Sequence, residues 1–137
     1  ALYGLPVKPI AQAFPDGVGG QADVVVSCVD TLKGRREIAR WCIRQKVPLF
    51  IDTRALGEMA AICTADTSQI KDYLRDMPTE REVEQDLRCG ATGGAYTGLW
   101  VASQVAGMIN SWYRGVRLPK MVVYHVGLGQ EVNREAW

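Results

Sequence analysis

The chain has 137 residues, of which 47% are hydrophobic and 23% charged, and its formal net charge is +1. This length and composition are ordinary for one globular domain, which we assign to residues 1–137, and the near-neutral charge argues against a general nucleic-acid binder. The four cysteines are widely spaced and form no CxxC pair, so we expect no zinc site and a reducing, cytoplasmic setting.

The amino-terminal segment predicts an irregular or edge strand over Val7–Phe14, because Pro9 lies within it. The glycine-rich stretch Gly17–Gly20 then predicts a tight turn. A phosphate-binding glycine loop would have to follow a strand and open a helix, whereas these glycines precede a strand. We therefore favour the turn over a nucleotide-binding loop.

The following segments predict a strand–helix–strand unit. Ala22–Val29 is an apolar, β-branched run of the kind found in strands covered on both faces. Thr31–Lys46 has an apolar stripe at helical spacing, with basic residues around the rest of the helix. Val47–Asp52 is a second buried strand, so the two strands are expected to be parallel with a right-handed crossover.

The remainder predicts a third strand, a short helix with an exposed charged connection, a long helix and a last strand. Their expected positions are Gly57–Ala65, Asp66–Leu87, Gly93–Gly115 and Lys120–Gly129. In sum the sequence predicts an α/β domain with a central sheet.

The stretch Cys89–Tyr113 contains no charged residue, which raises the possibility of a membrane helix. It contains five glycines and several polar side chains, so we favour a buried helix in a globular domain and expect no membrane association. Gly98, Ala102 and Ala106 are four residues apart, which would let another backbone approach that side of the helix closely.

Ligands of open α/β sheets bind beyond the carboxyl ends of the parallel strands. That rule points to Asp30 with Thr31, and to Asp52–Arg54. The Asp30 carboxylate could hold nucleotide-bound Mg²⁺ or a ribose, or it could cap the helix that starts near Thr31. The local pattern favours the cap, although the two roles are compatible.

Arg35 is the basic residue that we expect to reach a phosphate beside Asp30, whereas Arg36 is expected to be a surface charge. Asp52 and Arg54 are open to two interpretations of equal weight. They could form a simple surface pair, or they could line the same cleft as Asp30, since adjacent parallel strands end near each other.

Cys89 precedes the long helix, where the helix dipole favours a thiolate and hence a nucleophile. On local grounds a half-buried packing cysteine is the favoured interpretation. The sequence places no histidine near Cys89, because His125 is the only histidine and belongs to the last predicted strand.

The order of these parts resembles the adenylating domain of the ThiF/MoeB/ubiquitin-activating enzyme superfamily. There a buried strand ends in Asp followed by Asn, Thr or Ser, an Arg follows five residues after the Asp, and "VPL" opens the next strand. Asp30, Thr31, Arg35 and Val47–Leu49 match these positions. The "DxR" and "CxAxxxxYT" patterns of a ThiF-like bacterial branch match at the residues Asp52, Arg54, Cys89, Ala91, Tyr96 and Thr97.

The resemblance, which covers roughly Ala22–Gly115, implies a Rossmann-like three-layer domain with a mixed, largely parallel central sheet. It implies Mg²⁺ and ATP as cofactors, and adenylation of the carboxyl-terminal glycine of a small ubiquitin-like or sulfur-carrier protein. Asp30 would hold the Mg-ATP, Thr31, Arg35, Asp52 and Arg54 would bind the nucleotide, and Cys89 would be the thiol that accepts the acyl group. We also expect a homodimer.

The family's glycine-rich ATP loop, its ribose-binding acid and its catalytic Arg and Lys lie upstream of the matched region. We therefore expect a partial domain that lacks the amino-terminal glycine-rich βαβ unit, or a degenerate member that binds partners without catalysis. A nicotinamide-dependent oxidoreductase half-domain is the third interpretation. It is disfavoured because the sequence offers no Tyr–Lys or His pair near the cleft.

Overall fold

The computed structural model describes residues 8–16, 21–79 and 95–137. Gly17–Gly20, Cys89 and most of the charged connection lie outside the described residues. The helices and strands are, in chain order, β1 (Val24–Ser27), α1 (Leu32–Gln45), β2 (Leu49–Leu56), β3 (Met59–Asp66), α2 (Ile70–Asp76), α3 (Ala95–Tyr113), β4 (Met121–His125) and β5 (Gln130–Glu135).

The strands form one mixed sheet in the order β1-β2-β3-β4-β5. The β1–β2 pair is parallel, and the other three pairs are antiparallel. The α/β class is therefore confirmed, but the expectation of a largely parallel sheet is wrong for the described strands. The physical reason is that tight turns join β2 to β3 and β4 to β5, and a turn of that length can only connect antiparallel neighbours.

The predicted strand–helix–strand unit is confirmed by the parallel register, which pairs Val24 with Leu49. The Thr31 Oγ1 atom accepts the Gly34 backbone N–H at 3.1 Å and so caps α1 at its start. At the other end Lys46, in the left-handed region, closes the helix. The helix bounds predicted from the sequence agree with these caps to within one residue.

Two predictions at the ends of the described chain are wrong. Residues 8–13 form no strand, and only a turn is present around Phe14, whose ring packs edge-on against Trp41 at 5.4 Å between centroids. The predicted last strand is followed by a further strand, β5. That strand contains Val132 as its single apolar residue and is mostly exposed, so no hydrophobic alternation marked it.

Hydrophobic cores lie on both faces of the sheet. On one face α1 and α2 pack against Phe50 and Cys63. On the other face α3 contributes Val101 and Val105, which pack against Ile51 and other strand residues. Side chains along a strand alternate between faces, so the apolar run of β2 supplies both cores.

The described part of the uncharged stretch forms the helix α3, which buries Val101 and Val105. The chain leaves the helix shortly before Gly115, which adopts a φ of +77°. None of the helices in the described ranges combines the length and apolarity needed to cross a membrane. The small-residue face of α3 is exposed, and a Cβ added at Gly98 would meet nothing within 4 Å. The close approach expected at this face is therefore not made by the described residues.

Candidate functional site

A cavity of about 630 Å³ lies between α3 and the carboxyl ends of the parallel strands β1 and β2. Its polar wall includes Asp30 and Arg35, and its apolar wall includes Val26 of β1 and Val101 of α3. The cavity therefore lies at the end of β1 that the rule indicates, whereas along β2 it is lined by residues 53–55, which are within the strand; that a ligand binds there stays a prediction. A cavity of this volume is within the range of small-molecule sites.

Asp30 is exposed in the loop between β1 and α1, where it lines the cavity. The cap hypothesis for Asp30 is wrong, because the neighbouring Thr31 hydroxyl caps the helix. The Thr31 side chain, predicted to bind nucleotide, is therefore engaged in capping α1 at its start. The consequence for Asp30 is that its carboxylate is not used to start the helix.

Arg35 also lines the cavity, although the residue is only 7% exposed. Its guanidinium forms an ion pair with Asp52 and donates a hydrogen bond to the Thr53 carbonyl at 2.6 Å. These bonds hold the guanidinium beside Asp52 and Thr53 of β2, level with Ser27 at the carboxyl end of β1, and its contact with a phosphate stays a prediction. The adjacent Arg36 is half-buried and donates to the Pro78 carbonyl at 2.8 Å, so it is not a simple surface charge.

Asp52 is fully buried, and its two carboxylate oxygens accept hydrogen bonds from two arginines. One oxygen accepts from Arg35 and the other from the Arg54 Nε atom at 3.0 Å. The prediction that Asp52 ends its strand is wrong, because β2 continues to Leu56 in the hairpin with β3. Asp52 therefore positions the two guanidinium groups rather than facing the cavity.

Arg54 lines the cavity, but its guanidinium interacts with Asp52, Cys63 and Tyr73, which belong to the α1 and α2 side of the sheet. Burial is the largest single influence on Arg54 and lowers its pKa, but the Asp52 carboxylate together with Cys63 and Tyr73 outweighs burial, so the pKa of Arg54 is raised. The surface-pair interpretation of Asp52 and Arg54 is therefore wrong, since the carboxylate is fully buried.

Cys28 and Thr53 are site residues that the sequence did not single out. Cys28 was expected to be buried in a strand, but β1 ends at Ser27 and Cys28 is exposed in the wall of the cavity. The Thr53 hydroxyl donates to the Ser27 carbonyl at 3.1 Å and so ties β2 to the end of β1. The signal that could have placed Cys28 correctly is the helix start at Thr31, which leaves little room for a longer strand.

Unlike Cys28, which is exposed, Cys42 and Cys63 are buried. Burial raises the pKa of Cys42 to about 12 and that of Cys63 to about 11. A thiol with such a pKa is protonated and inert near neutral pH. Both residues therefore act as small apolar groups in the core.

Within residues 8–16, 21–79 and 95–137 there is no group of three or more His, Cys, Asp or Glu side chains that could hold a metal ion. A Mg²⁺ ion that arrives with nucleotide phosphates needs only one or two protein carboxylates. The exposed Asp30 carboxylate, which lines the same cavity as Arg35, is compatible with that kind of site.

No protein-family model matches the sequence, and no curated protein matches it either.

Proposed function

We propose that this chain is part of an ATP-dependent adenylyltransferase, similar to the ThiF/MoeB type, that activates the carboxyl terminus of a small ubiquitin-like or sulfur-carrier protein. The observation that supports it is the meeting of Asp30 and Arg35 in one cavity at the carboxyl end of a parallel strand pair. The proposal includes a Rossmann-like three-layer arrangement, a cytoplasmic setting and a homodimer.

Under this proposal the protein's own residues bind and orient the nucleotide. Asp30 would hold the Mg²⁺ that accompanies ATP, and this ion would offset charge that develops on the phosphates. Arg35 would contact a phosphate oxygen with a guanidinium that Asp52 and the Thr53 carbonyl already orient. A preoriented charge needs little rearrangement when the phosphate arrives.

The apolar part of the cavity suits the adenine base. Val26 from β1 and Val101 and Val105 from α3 present aliphatic surface to the cavity, while Gly98 leaves room beside them. Binding sites for small ligands combine such apolar walls with a few polar groups that fix orientation. The presence of both charged and aliphatic side chains in the lining of this cavity supports a nucleotide as the ligand.

The experiment that tests the proposal is calorimetric titration of the full-length protein with Mg-ATP. We expect Asp30→Asn to weaken binding at least tenfold and removal of Mg²⁺ to weaken wild-type binding to a similar extent. Asp23→Asn is the matched control, because Asp23 is also exposed but precedes β1, at its opposite end. Wild-type affinity in Asp30→Asn would exclude the metal-holding role.

The second candidate function is that of a non-catalytic protein that keeps this fold and binds a partner. The observation that favours it is the exposed small-residue face of α3, which lines the same cavity as Val26 of β1, an edge strand of the described sheet, where Val26 is 38% exposed. Mg-ATP binding separates the two candidates. A full-length protein that forms a stable dimer by light scattering but binds no Mg-ATP would support this second function and contradict the first.

A further inference from the structure

Two turns lie side by side at one end of the sheet: the β2–β3 turn, residues 57–58, and the β4–β5 turn, residues 126–129. The Val126 backbone N–H donates to the Glu58 carbonyl at 2.7 Å and so joins the two turns directly. The Glu58 carboxylate also lies against the backbone of Gly127, because a Cβ added at Gly127 would overlap it. Glu58 therefore contacts the β4–β5 turn with both its main chain and its side chain.

The His125 side chain has a neighbour in each of these turns. Its Nδ1 atom accepts the Leu128 backbone N–H at 3.3 Å, and its Nε2 atom lies 3.8 Å from a Glu58 carboxylate oxygen. A neutral imidazole carries one hydrogen, so a ring whose Nδ1 atom accepts must carry that hydrogen on Nε2. The distance to Glu58 is too long for a hydrogen bond, so the neutral ring is bonded to the β4–β5 turn alone of the two.

Protonation of His125 changes both contacts. The imidazolium carries a hydrogen on each nitrogen, so its Nδ1 atom becomes a donor and can no longer accept the Leu128 N–H. The ring also gains a positive charge beside the Glu58 carboxylate, and the two groups then attract each other. A single proton therefore removes the contact with one turn and strengthens the contact with the other.

The neighbouring strands bring no competing charge to His125. Met59 of β3 and Gln130 of β5 lie opposite His125 in the sheet, and neither side chain ionises. Glu131, the next residue of β5, is paired with Arg134 at 2.6 Å. In the part of the chain that the structure describes, Glu58 is therefore the carboxylate available to a charged His125 ring.

The β2–β3 turn is in turn attached to the first turn of α3. The Tyr96 hydroxyl donates to the other Glu58 carboxylate oxygen at 2.7 Å, and the buried Thr97 hydroxyl donates to the Gly57 carbonyl at 3.0 Å. The hydrogen bond to Glu58 raises the pKa of Tyr96, so the phenol stays protonated and remains a donor. A change in the contacts of Glu58 therefore reaches the start of α3.

We propose that His125 is a pH-dependent switch that exchanges one turn for the other as its partner. The neutral ring holds the β4–β5 turn through the Leu128 N–H. The protonated ring releases Leu128 and pairs with Glu58, so acidification loosens the β4–β5 turn and strengthens the hold on the β2–β3 turn. Histidine side chains ordinarily change charge between about pH 5 and pH 8, which is the range in which the switch operates.

The test is NMR spectroscopy of the isotopically labelled full-length protein, titrated from about pH 8 to about pH 5. At the upper end of the range, long-range nitrogen–hydrogen correlations should place the imidazole hydrogen on Nε2. As the pH falls, the Leu128 amide proton should move upfield because it loses its acceptor. The Glu58 carboxyl carbon signal should shift with the same midpoint as the His125 ring signals.

His125→Asn is the matched variant, because the Asn side-chain oxygen can accept the Leu128 N–H but does not ionise. It assigns the His125 ring signals, and in it we expect the Leu128 amide proton to keep its position over the whole titration. Glu37 supplies the control carboxylate, since it is exposed on α1, which packs against α2, β1 and β2. Its carboxyl signal should show no step at the His125 midpoint.

Three results would each overturn the proposal. They are an imidazole hydrogen on Nδ1 at the upper end of the pH range, a Leu128 amide signal that does not follow the His125 titration, and a Glu58 carboxyl signal that follows it no more than that of Glu37. The samples contain no nucleotide, so the outcome is independent of the proposed adenylyltransferase activity.

Discussion

Arg35, in the first turns of α1, forms a buried ion pair with Asp52, which lies 17 residues further along the chain in β2. The pair joins the helix of the strand–helix–strand unit to the strand that the helix leads into. Because Asp52 also accepts from Arg54, a single buried carboxylate orients two guanidinium groups, and both arginines line the cavity that contains Asp30. Asp52 therefore orients both arginines although it does not itself line that cavity.

Asp52→Ala is expected to lower the free energy of unfolding by about 3–5 kcal/mol, because it leaves a buried charge without its partner. Urea denaturation of the full-length protein measures the change. Asp23→Ala is the control, since Asp23 is exposed and its removal should change stability by no more than about 0.5 kcal/mol. Equal midpoints for the two variants would show that the buried cluster contributes nothing to stability.

A glycine-to-alanine substitution within α3 and another just after α3 are expected to change the stability of the protein in opposite directions. Gly107 lies within the helix with open space around it, so Gly107→Ala should stabilise the protein by about 0.5–1 kcal/mol. Gly115 has a φ of +77°, where a Cβ is strained, so Gly115→Ala should destabilise it by about 1–2 kcal/mol. Thermal unfolding of both variants gives the sign of each change in melting temperature. If both melting temperatures shift in the same direction, α3 does not end between Gly107 and Gly115.

The thiols are expected to differ in reactivity with iodoacetamide at pH 8. The pKa of Cys42 is raised to about 12 and that of Cys63 to about 11, both by burial. Since pH 8 is at least three pH units below these values, no more than about one thiol in a thousand is ionised. Among the three thiols that the structure describes, Cys28 is the exposed one and should be modified first.

Mass spectrometry of the digested peptides identifies the modified cysteines, and unfolding in urea should abolish the difference between them. Raising the pH towards 11 should accelerate modification of Cys63 before that of Cys42. Rapid labelling of Cys42 in the folded protein at pH 8 would contradict its buried position.

Cys89 lies outside the described residues, and its role follows from the proposed function. With the carrier protein and Mg-ATP present, we expect Cys89 to displace AMP from the acyl adenylate and form a thioester that a thiol reductant cleaves. Cys89→Ser should abolish this conjugate on a non-reducing gel, whereas ATP–pyrophosphate exchange, which precedes the thiol's attack, should be unchanged in the same variant. If the conjugate persists in Cys89→Ser, the thiol that carries the acyl group lies elsewhere.

The local elements of this protein follow from its sequence. The apolar stripe and the Thr31 cap place α1 correctly, and Gly115 marks where α3 has ended, because helix periodicity and end chemistry depend on residues within a few positions of each other. The parallel pairing of β1 with β2 also follows, since a connecting helix permits it. The same local argument indicates the end of β1, where the cavity lined by Asp30 and Arg35 lies.

The directions of the other strands and the partners of the charged side chains depend on contacts between distant residues. The polar strand β5 forms because β4 offers a free edge, which no pattern within Gln130–Glu135 encodes. Likewise the sequence marks Asp30 and Asp52 as equivalent strand-end carboxylates. Only the tertiary structure distinguishes them, because the hairpin with β3 extends β2 past Asp52 and buries that carboxylate between two arginines, while Asp30 stays exposed in a loop.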